Sequence, residues 1–280
     1  MFSSLLWLEN FYYKTVLKNL IKTSQLGYGL VVSGADSGVN FERIYDNKPK
    51  GAYLIGRFID KVLLNLPSAQ ATRVRKDEIR KFLWNEIQNN QLRDRKTKIL
   101  DLASGTARYI RELREEHSKG AVESVCVDRE LSCVRLGRLL CQKEGVENLR
   151  FIKSDIFRLQ RLVKLGIDLN WKANVVIASG LLMYFDNGKA EAVLKEIYNY
   201  LPDEALLIFS SLERVEIKKL MRKTMSISSG GRWILYHRKP DYWRGVLHKL
   251  GFGQILIIRD KWHLQDICVA RKLNASNERR

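Results

Sequence analysis

From Thr97 onward the chain alternates short, almost wholly apolar runs with stretches long enough for helices, and this alternation restricts the fold more than any other feature. The runs are 97–102 (TKILDL), 123–128 (ESVCVD), 149–154 (LRFIKS), 173–179 (ANVVIAS), 205–211 (ALLIFSS), 254–259 (QILIIR) and 266–271 (DICVAR). Helical spacing fills 106–118, 130–144, 156–165, 187–200 and 240–250. Strands that are apolar on both faces and separated by helices form a mainly parallel sheet covered on both sides. Only DKWHLQ separates the last two runs, too little chain for a crossover helix, so these strands are expected to be antiparallel neighbours. The expectation is an α/β, Rossmann-like sheet of seven strands with helices on both faces and a helical N-terminal extension.

That extension covers residues 1–96 and reads as helices and loops, a lid to the 97–280 domain. In 4–22, Leu5, Leu8, Phe11, Tyr12, Val16 and Leu20 fall at helical spacing, with Lys14, Lys18 and Lys22 on another face. Such a helix either packs on the body of the protein or lies in an anionic membrane interface. Two more amphipathic helices are expected over 52–65 and 76–90, after a turn-rich loop, SGADSGVNFERIYDNKPKG.

Composition narrows the setting. No run of about 18 uncharged apolar residues occurs, so no membrane-spanning helix is expected. The opening MFSSLLWLENFYYK lacks a basic leader, a long apolar stretch and a small-residue cleavage site, and reads as mature protein. The four cysteines have no C-x-x-C spacing, which suggests neither a zinc ribbon nor a redox pair and fits a reducing, cytoplasmic setting. The net charge of +18 is unevenly placed. Residues 1–98 hold 17 Lys and Arg against 9 Asp and Glu, residues 99–212 hold 16 against 16, and residues 213–280 hold 16 against 6. Basic flanks around a neutral middle suggest an anionic partner, or simply a solvated basic surface.

The ligand site is expected where the first strand ends, at ILDLASGTARY, residues 99–109. Small residues let a ligand approach the backbone, and the helix that follows offers unpaired amides. Asp101 at the strand end would repel a pyrophosphate but suits a cationic group. Asp128, with Arg129 beside it, ends the second strand, where a carboxylate can accept both hydroxyls of a ribose. Asp155 ends the third, placed to reach an adenine amino group while Ile156 packs on the ring. The three carboxylates recur at intervals of 27 residues, about one βα repeat, whereas a lone strand-end Asp is usually a helix cap.

With these residues in place, the chain resembles the class I S-adenosylmethionine-dependent methyltransferases over roughly 97–272. The family's first-strand motif, acid-x-Gly-x-Gly-x-Gly, reads here Asp101-Leu102-Ala103-Ser104-Gly105-Thr106-Ala107, with alanine in two of the three glycine positions. Ala107 is expected to narrow the turn. The resemblance implies S-adenosyl-L-methionine as cofactor, held by Asp101, Ala103, Ser104, Gly105, Ala107, Asp128, Arg129, Asp155, Ile156 and Ser179. It places Asp101 near the methionine end, Asp128 at the ribose and Asp155 at the adenine. The segments DSGVNFERIYDNKPKG and SGGRWILYHRK are similar to a branch of methyltransferases often joined to α/β-hydrolase domains.

The acceptor is less legible. After the fourth strand, ANVVIASGLLMYFDN carries none of the Asn-Pro-Pro-aromatic turn of base-amine methyltransferases, and no strand-end cysteine or Lys-Asp-Lys-Glu tetrad is visible. Tyr184 and His237 are the catalytic candidates, with Asp186 and Glu213 as further bases; the structural alternatives are a core aromatic for Tyr184 and a helix cap for Asp186. The insert 213–239 is very basic (Lys218, Lys219, Arg222, Lys223, Arg232, Arg238, Lys239) and is expected near the substrate mouth. Tryptophans 7, 84, 233, 243 and 262 could stack on bases or serve as core anchors. Three functions stay open: a methyltransferase for a small or lipid-like acceptor, an RNA methyltransferase using the basic flanks, and a non-catalytic binding module.

Overall fold

The computed structural model describes residues 12–156, 171–214, 227–228, 230 and 233–274. Seven strands form one sheet: β1 (Thr97–Leu102), β2 (Val122–Asp128), β3 (Leu149–Lys153), β4 (Val175–Ala178), β5 (Leu206–Leu212), β6 (Phe252–Arg259) and β7 (Gln265–Lys272). Their order is β3-β2-β1-β4-β5-β7-β6. The first five are parallel, and β7 runs antiparallel to both β5 and β6, as the short DKWHLQ connection requires. Strand order reverses between β1 and β4, which makes the crevice beyond their carboxyl ends the expected ligand site of an open α/β sheet.

Both faces of the sheet are buried because successive residues of a strand point to opposite sides. Leu100, Leu102, Val125, Val127, Leu207 and Phe209 enter one apolar layer with Trp243 and Leu247. Their neighbours Ile99, Cys126, Leu206 and Ile208 enter the other, with Val134, Tyr109 and Ile110. Ile79, Leu83 and Ile87 seal that second layer; they lie four residues apart on one stripe of helix α4 (Pro67–Gln91) and are wholly buried. α4 begins well before the 76–90 expected for it, at a proline in the position where a missing amide costs nothing.

The other helices on the sheet are α5 (Arg108–Arg111), α6 (Arg114–Ser118), α7 (Leu131–Glu144), α8 (Asn187–Tyr200) and α9 (Pro240–Leu250). The single helix expected over 106–118 is in fact two short ones, broken where Leu113 takes φ −90° and ψ 23°. The helix expected over 156–165 lies, apart from Ile156, outside the described residues.

Two compact units divide the chain, residues 1–73 with 215–234 and residues 74–214 with 235–280. The first contains α1 (Gln25–Val32), α2 (Gly38–Asp46) and α3 (Tyr53–Asn65) around Leu26, Ile44, Leu64 and Ala69. Its polar centre is Asp60, which accepts hydrogen bonds from Ser24 Oγ, the Leu26 amide at 3.0 Å and the Lys50 amide at 2.8 Å. Burial pushes this carboxyl up, but those donors outweigh it and hold its pKa below the ordinary value. Of the 4–22 segment, residues 4–11 lie outside the described residues; Tyr12–Leu17 is one π-helical stretch running into an α-turn at Lys18–Ile21. No helix among the described residues is long and apolar enough to cross a membrane.

Candidate active site

The turn after β1 has left-handed backbone at three alternate positions, with φ of 56° at Ala103, 56° at Gly105 and 53° at Ala107. These are the three glycine positions of the motif, so the two alanines keep a glycine-like path. The expectation that Ala107 narrows the turn is corrected: its methyl is fully buried in the apolar layer with Tyr109 and Ile110. Hydrogen bonds fix the loop to its neighbours. Ser104 donates its amide to the Val127 carbonyl at 3.1 Å, Gly105 to Asp128 Oδ2 at 2.8 Å, and Ala107 to the Ser104 carbonyl at 2.9 Å. Arg111, fully buried and ion-paired to Glu144, donates Nε to the Thr106 carbonyl at 2.8 Å.

Asp128 is the electrostatic centre of this end. Its Oδ1 accepts the Glu130 amide at 2.8 Å and its Oδ2 the Gly105 amide, so each oxygen retains acceptor capacity. Burial pushes its pKa up to about 6, against the pull of those two amides. Asp101 is wholly buried, and both of its oxygens accept from Tyr109 Oη, at 2.9 and 2.8 Å. Burial drives its pKa well above the ordinary value; the Tyr109 hydroxyl opposes this and the Asp128 charge adds to it. Arg129 and Asp155 are exposed, and Ile156 is half-buried against the apolar layer of Leu100 and Leu102. At the end of β4, Ser179 Oγ is buried with no hydrogen-bond partner among the described residues. The next amide, of Gly180, donates to Ser210 Oγ at 2.7 Å.

Gly180 has φ 71°, and a carbon added to its Cα would meet Arg75 Nη1 at 3.5 Å. The buried guanidinium of Arg75, from α4, therefore stands over the turn that follows β4. Farther along, Tyr184 is half-buried at the end of the 3-10 turn Leu182–Tyr184. His237, also half-buried, is brought to the same turn. The Tyr236 amide donates to the Met183 carbonyl at 2.8 Å, and Arg238 Nη1 to the Leu182 carbonyl at 3.1 Å. Asp186 caps α8, accepting the Lys189 amide at 2.9 Å, and Glu213 is ion-paired to Arg259.

Arg238 does not belong with the basic residues offered to a substrate. It is 5% exposed, binds Asn187 Oδ1 at 2.9 Å and the Leu182 and Phe185 carbonyls, and stacks on Tyr242 and Trp243. Lys239 is exposed, while Lys218, Lys219, Arg222, Lys223 and Arg232 lie outside the described residues. Trp243 is a core anchor, fully buried and donating to Ser211 Oγ. Sequence reasoning missed Tyr109, Arg75 and the inward role of Arg238. Only Tyr109 left a local signal, two residues beyond the small-residue loop.

A sheet whose order reverses between β1 and β4, a three-fold left-handed turn after β1 and an acid at the end of β2 are the fold of the class I S-adenosylmethionine-dependent methyltransferases. The chain belongs to the family described as "Putative methyltransferase", whose model matches residues 3–272. It is similar to the uncharacterized protein YnbC of Escherichia coli K12, 23% identical over 256 residues that make up 90% of this chain and 43% of YnbC. The chain thus spans less than half the length of that relative. Among solved structures, a "possible exported protein" from Bordetella parapertussis matches with a TM-score of 0.69 at 17% identity, over 91% of this chain and 86% of that one. The magnesium protoporphyrin IX methyltransferase ChlM from Synechocystis PCC 6803, solved with bound SAH, matches with a TM-score of 0.56 at 14% identity, over 93% and 99%. At these identities both structures speak to the fold.

Proposed function

We propose that the chain methylates a small or lipid-like acceptor bearing an anionic group, held at the carboxyl end of β4. The observation that carries this reading is the buried Arg75 guanidinium over Gly180. A guanidinium out of bulk water binds a carboxylate or phosphate strongly, and its planar fork fixes the partner's orientation.

The residues at the neighbouring strand ends fit S-adenosylmethionine. Asp128 retains acceptor positions for two ribose hydroxyls, the left-handed turn 103–107 follows a glycine-like path, and the buried Ser179 hydroxyl seeks a partner. Asp155 and Ile156 serve the adenine, Arg129 flanks the ribose, and Asp101, steadied by Tyr109, faces the cationic methionine end. When bound, the cofactor supplies a methyl group already activated by its sulfonium. The chain's task is then chiefly alignment of the acceptor, for which Arg75 is the anchor. Tyr184 and His237, on the two segments that meet at the 182–185 turn, are the residues we assign to hold the proton an acceptor hydroxyl would lose.

The test is methyl transfer from labelled S-adenosylmethionine to matched phenols and acyl chains with and without a carboxylate or phosphate. Transfer is expected to the anionic members. Arg75→Met should lower kcat/KM for them by about a hundredfold, the worth of a charge-assisted pair, with cofactor affinity kept within about twofold. Equal use of neutral and anionic acceptors, or an unaffected Arg75→Met, would overturn the reading. Transfer to RNA alone would replace it.

A further inference from the structure

Helix α3 presents an apolar stripe outward. Gly56, Asp60 and Leu64, four residues apart, are its buried stripe. On the opposite side, at the 100° per residue of an α-helix, stand Leu54, Ile55, Phe58 and Val62, with relative exposures of 85%, 51%, 66% and 48%. A helix that only completes a protein core shows the reverse pattern. At its first residue Tyr53 takes φ 53°, a strained conformation for an aromatic, with 87% of its surface in solvent. Nine of the 18 exposed large apolar residues among those described fall between Val16 and Val62.

The charge along this helix has one sign. Arg57 and Lys61 border the apolar face, are exposed and make no ion pair among the described residues, and Lys48 is exposed in the loop before α3. The helix's one acid, Asp60, is buried and taken up by Ser24 and two backbone amides. We propose that this face of α3, its apolar stripe edged by Arg57 and Lys61, seats the chain peripherally on an anionic lipid surface. Apolar side chains entering the acyl boundary while basic ones meet the headgroups is the pattern such helices use. A second copy of the chain is the poorer occupant. A two-fold contact through this face would set Arg57 and Lys61 against their own copies, in a protein of net charge +18. The proposed surface is the face of α3 and does not depend on the acceptor reading: vesicle binding and methyl transfer are read separately.

The experiment is flotation of the full chain with vesicles of phosphatidylcholine alone and of equal parts phosphatidylcholine and phosphatidylglycerol, at low and high salt. Binding is expected to the mixed vesicles and to weaken with salt. Phe58→Glu with Val62→Glu should weaken it by about tenfold or more. Arg57→Glu with Lys61→Glu should abolish the preference for anionic lipid. These positions are exposed, so unchanged thermal unfolding and cofactor binding show that the variants remain folded. Equal binding to both vesicle types, no binding at low salt, or full binding by the apolar variant would overturn the proposal. So would a concentration-dependent dimer that the same variant abolishes, which would give the face to a second copy.

Discussion

The amide of Gly105 donates to Oδ2 of Asp128 at 2.8 Å, so the turn after β1 and the end of β2 are joined through one carboxylate. In the proposed site that carboxylate is also the one that meets the ribose. It is buried, held from behind by two amides and open to further donors. A group so placed is costly to ionise when the protein is empty and is rewarded when donors arrive, which gives folding and cofactor binding opposite dependences on pH.

For the empty protein the sign follows from the raised pKa. Asp128 titrates near 6 when folded against an ordinary 3.8, so the folded state holds the extra proton between those values. Stability from this group is therefore present below the unfolded pKa and lost as pH rises through about 6, amounting to about 3 kcal/mol at pH 7. Asp128→Asn removes the titration. The unfolding free energy of Asp128→Asn minus that of wild type should grow as pH rises from 4 to 7. A difference that is flat with pH would refute the assignment.

For the cofactor the sign inverts. Protonation spends an acceptor position of Asp128, so S-adenosylmethionine affinity should fall as pH drops through about 6. Calorimetric titration between pH 5 and 8 checks this. Asp128→Asn should bind about tenfold or more weakly at pH 8, with a flatter profile.

Much of the fold was legible because burial on both faces of a parallel sheet writes itself as continuous apolar runs. The strand 97–102 and the helices 187–200 and 240–250 were readable to the residue. Each is bounded by a signal with a physical cause, such as Asp186 as a cap, Pro240 at a helix start and Gly251 in left-handed backbone at its end. Of the candidate site, the residues legible in the sequence are those at strand ends, Asp101 and Asp128. The site was not legible where a side chain is recruited across the sheet. Arg75 belongs to a polar stretch of α4, and it is tertiary packing, led by Ile79, Leu83 and Ile87, that brings that helix to the β4 turn. In the sequence Arg238 is indistinguishable from the other basic residues of the insert, because charge alone does not say which arginine turns inward.

The alanines of the turn give a stability prediction. A left-handed φ costs an L-residue about 1–2 kcal/mol, which glycine avoids, although glycine loses more chain entropy on folding. Ala103→Gly should therefore stabilise by about 0.5–1 kcal/mol. Ala107→Gly should be nearly neutral, because the strain it relieves is offset by about 0.8 kcal/mol of lost methyl burial. Chemical denaturation distinguishes the two. A loss of stability at Ala103 would show that the turn is not left-handed there.

Tyr109→Phe removes the hydroxyl that serves both Asp101 oxygens and should cost about 1–3 kcal/mol. It also raises the already elevated Asp101 pKa further, because the ionised form loses its donor. Stability contributed by Asp101 is lost as pH rises through its folded pKa, so the deficit of the variant should deepen toward alkaline pH. A deficit that shrank as pH rose would mean that the hydroxyl serves the protonated acid instead.

Arg238 allows the proposed acceptor turn, 182–185, to be separated from the proposed cofactor turn, 103–107. One guanidinium binds the Leu182 and Phe185 carbonyls and Asn187 Oδ1 while stacking on Trp243 at 5.1 Å. Arg238→Met keeps the apolar stem but leaves those acceptors without their donor, and should cost about 2–4 kcal/mol. Arg238→Lys supplies a single point charge in place of a planar fork and should recover only part of that loss. The damage falls on segment 182–185, to which residues 236–238 are bound, and leaves the Gly105–Asp128 link in place. Thermal unfolding should therefore drop for both variants. At a temperature where they remain folded, kcat should fall by about tenfold or more while S-adenosylmethionine affinity stays within about twofold. Equal losses in cofactor affinity and turnover would show that the 182–185 turn supports the cofactor site as much as the acceptor.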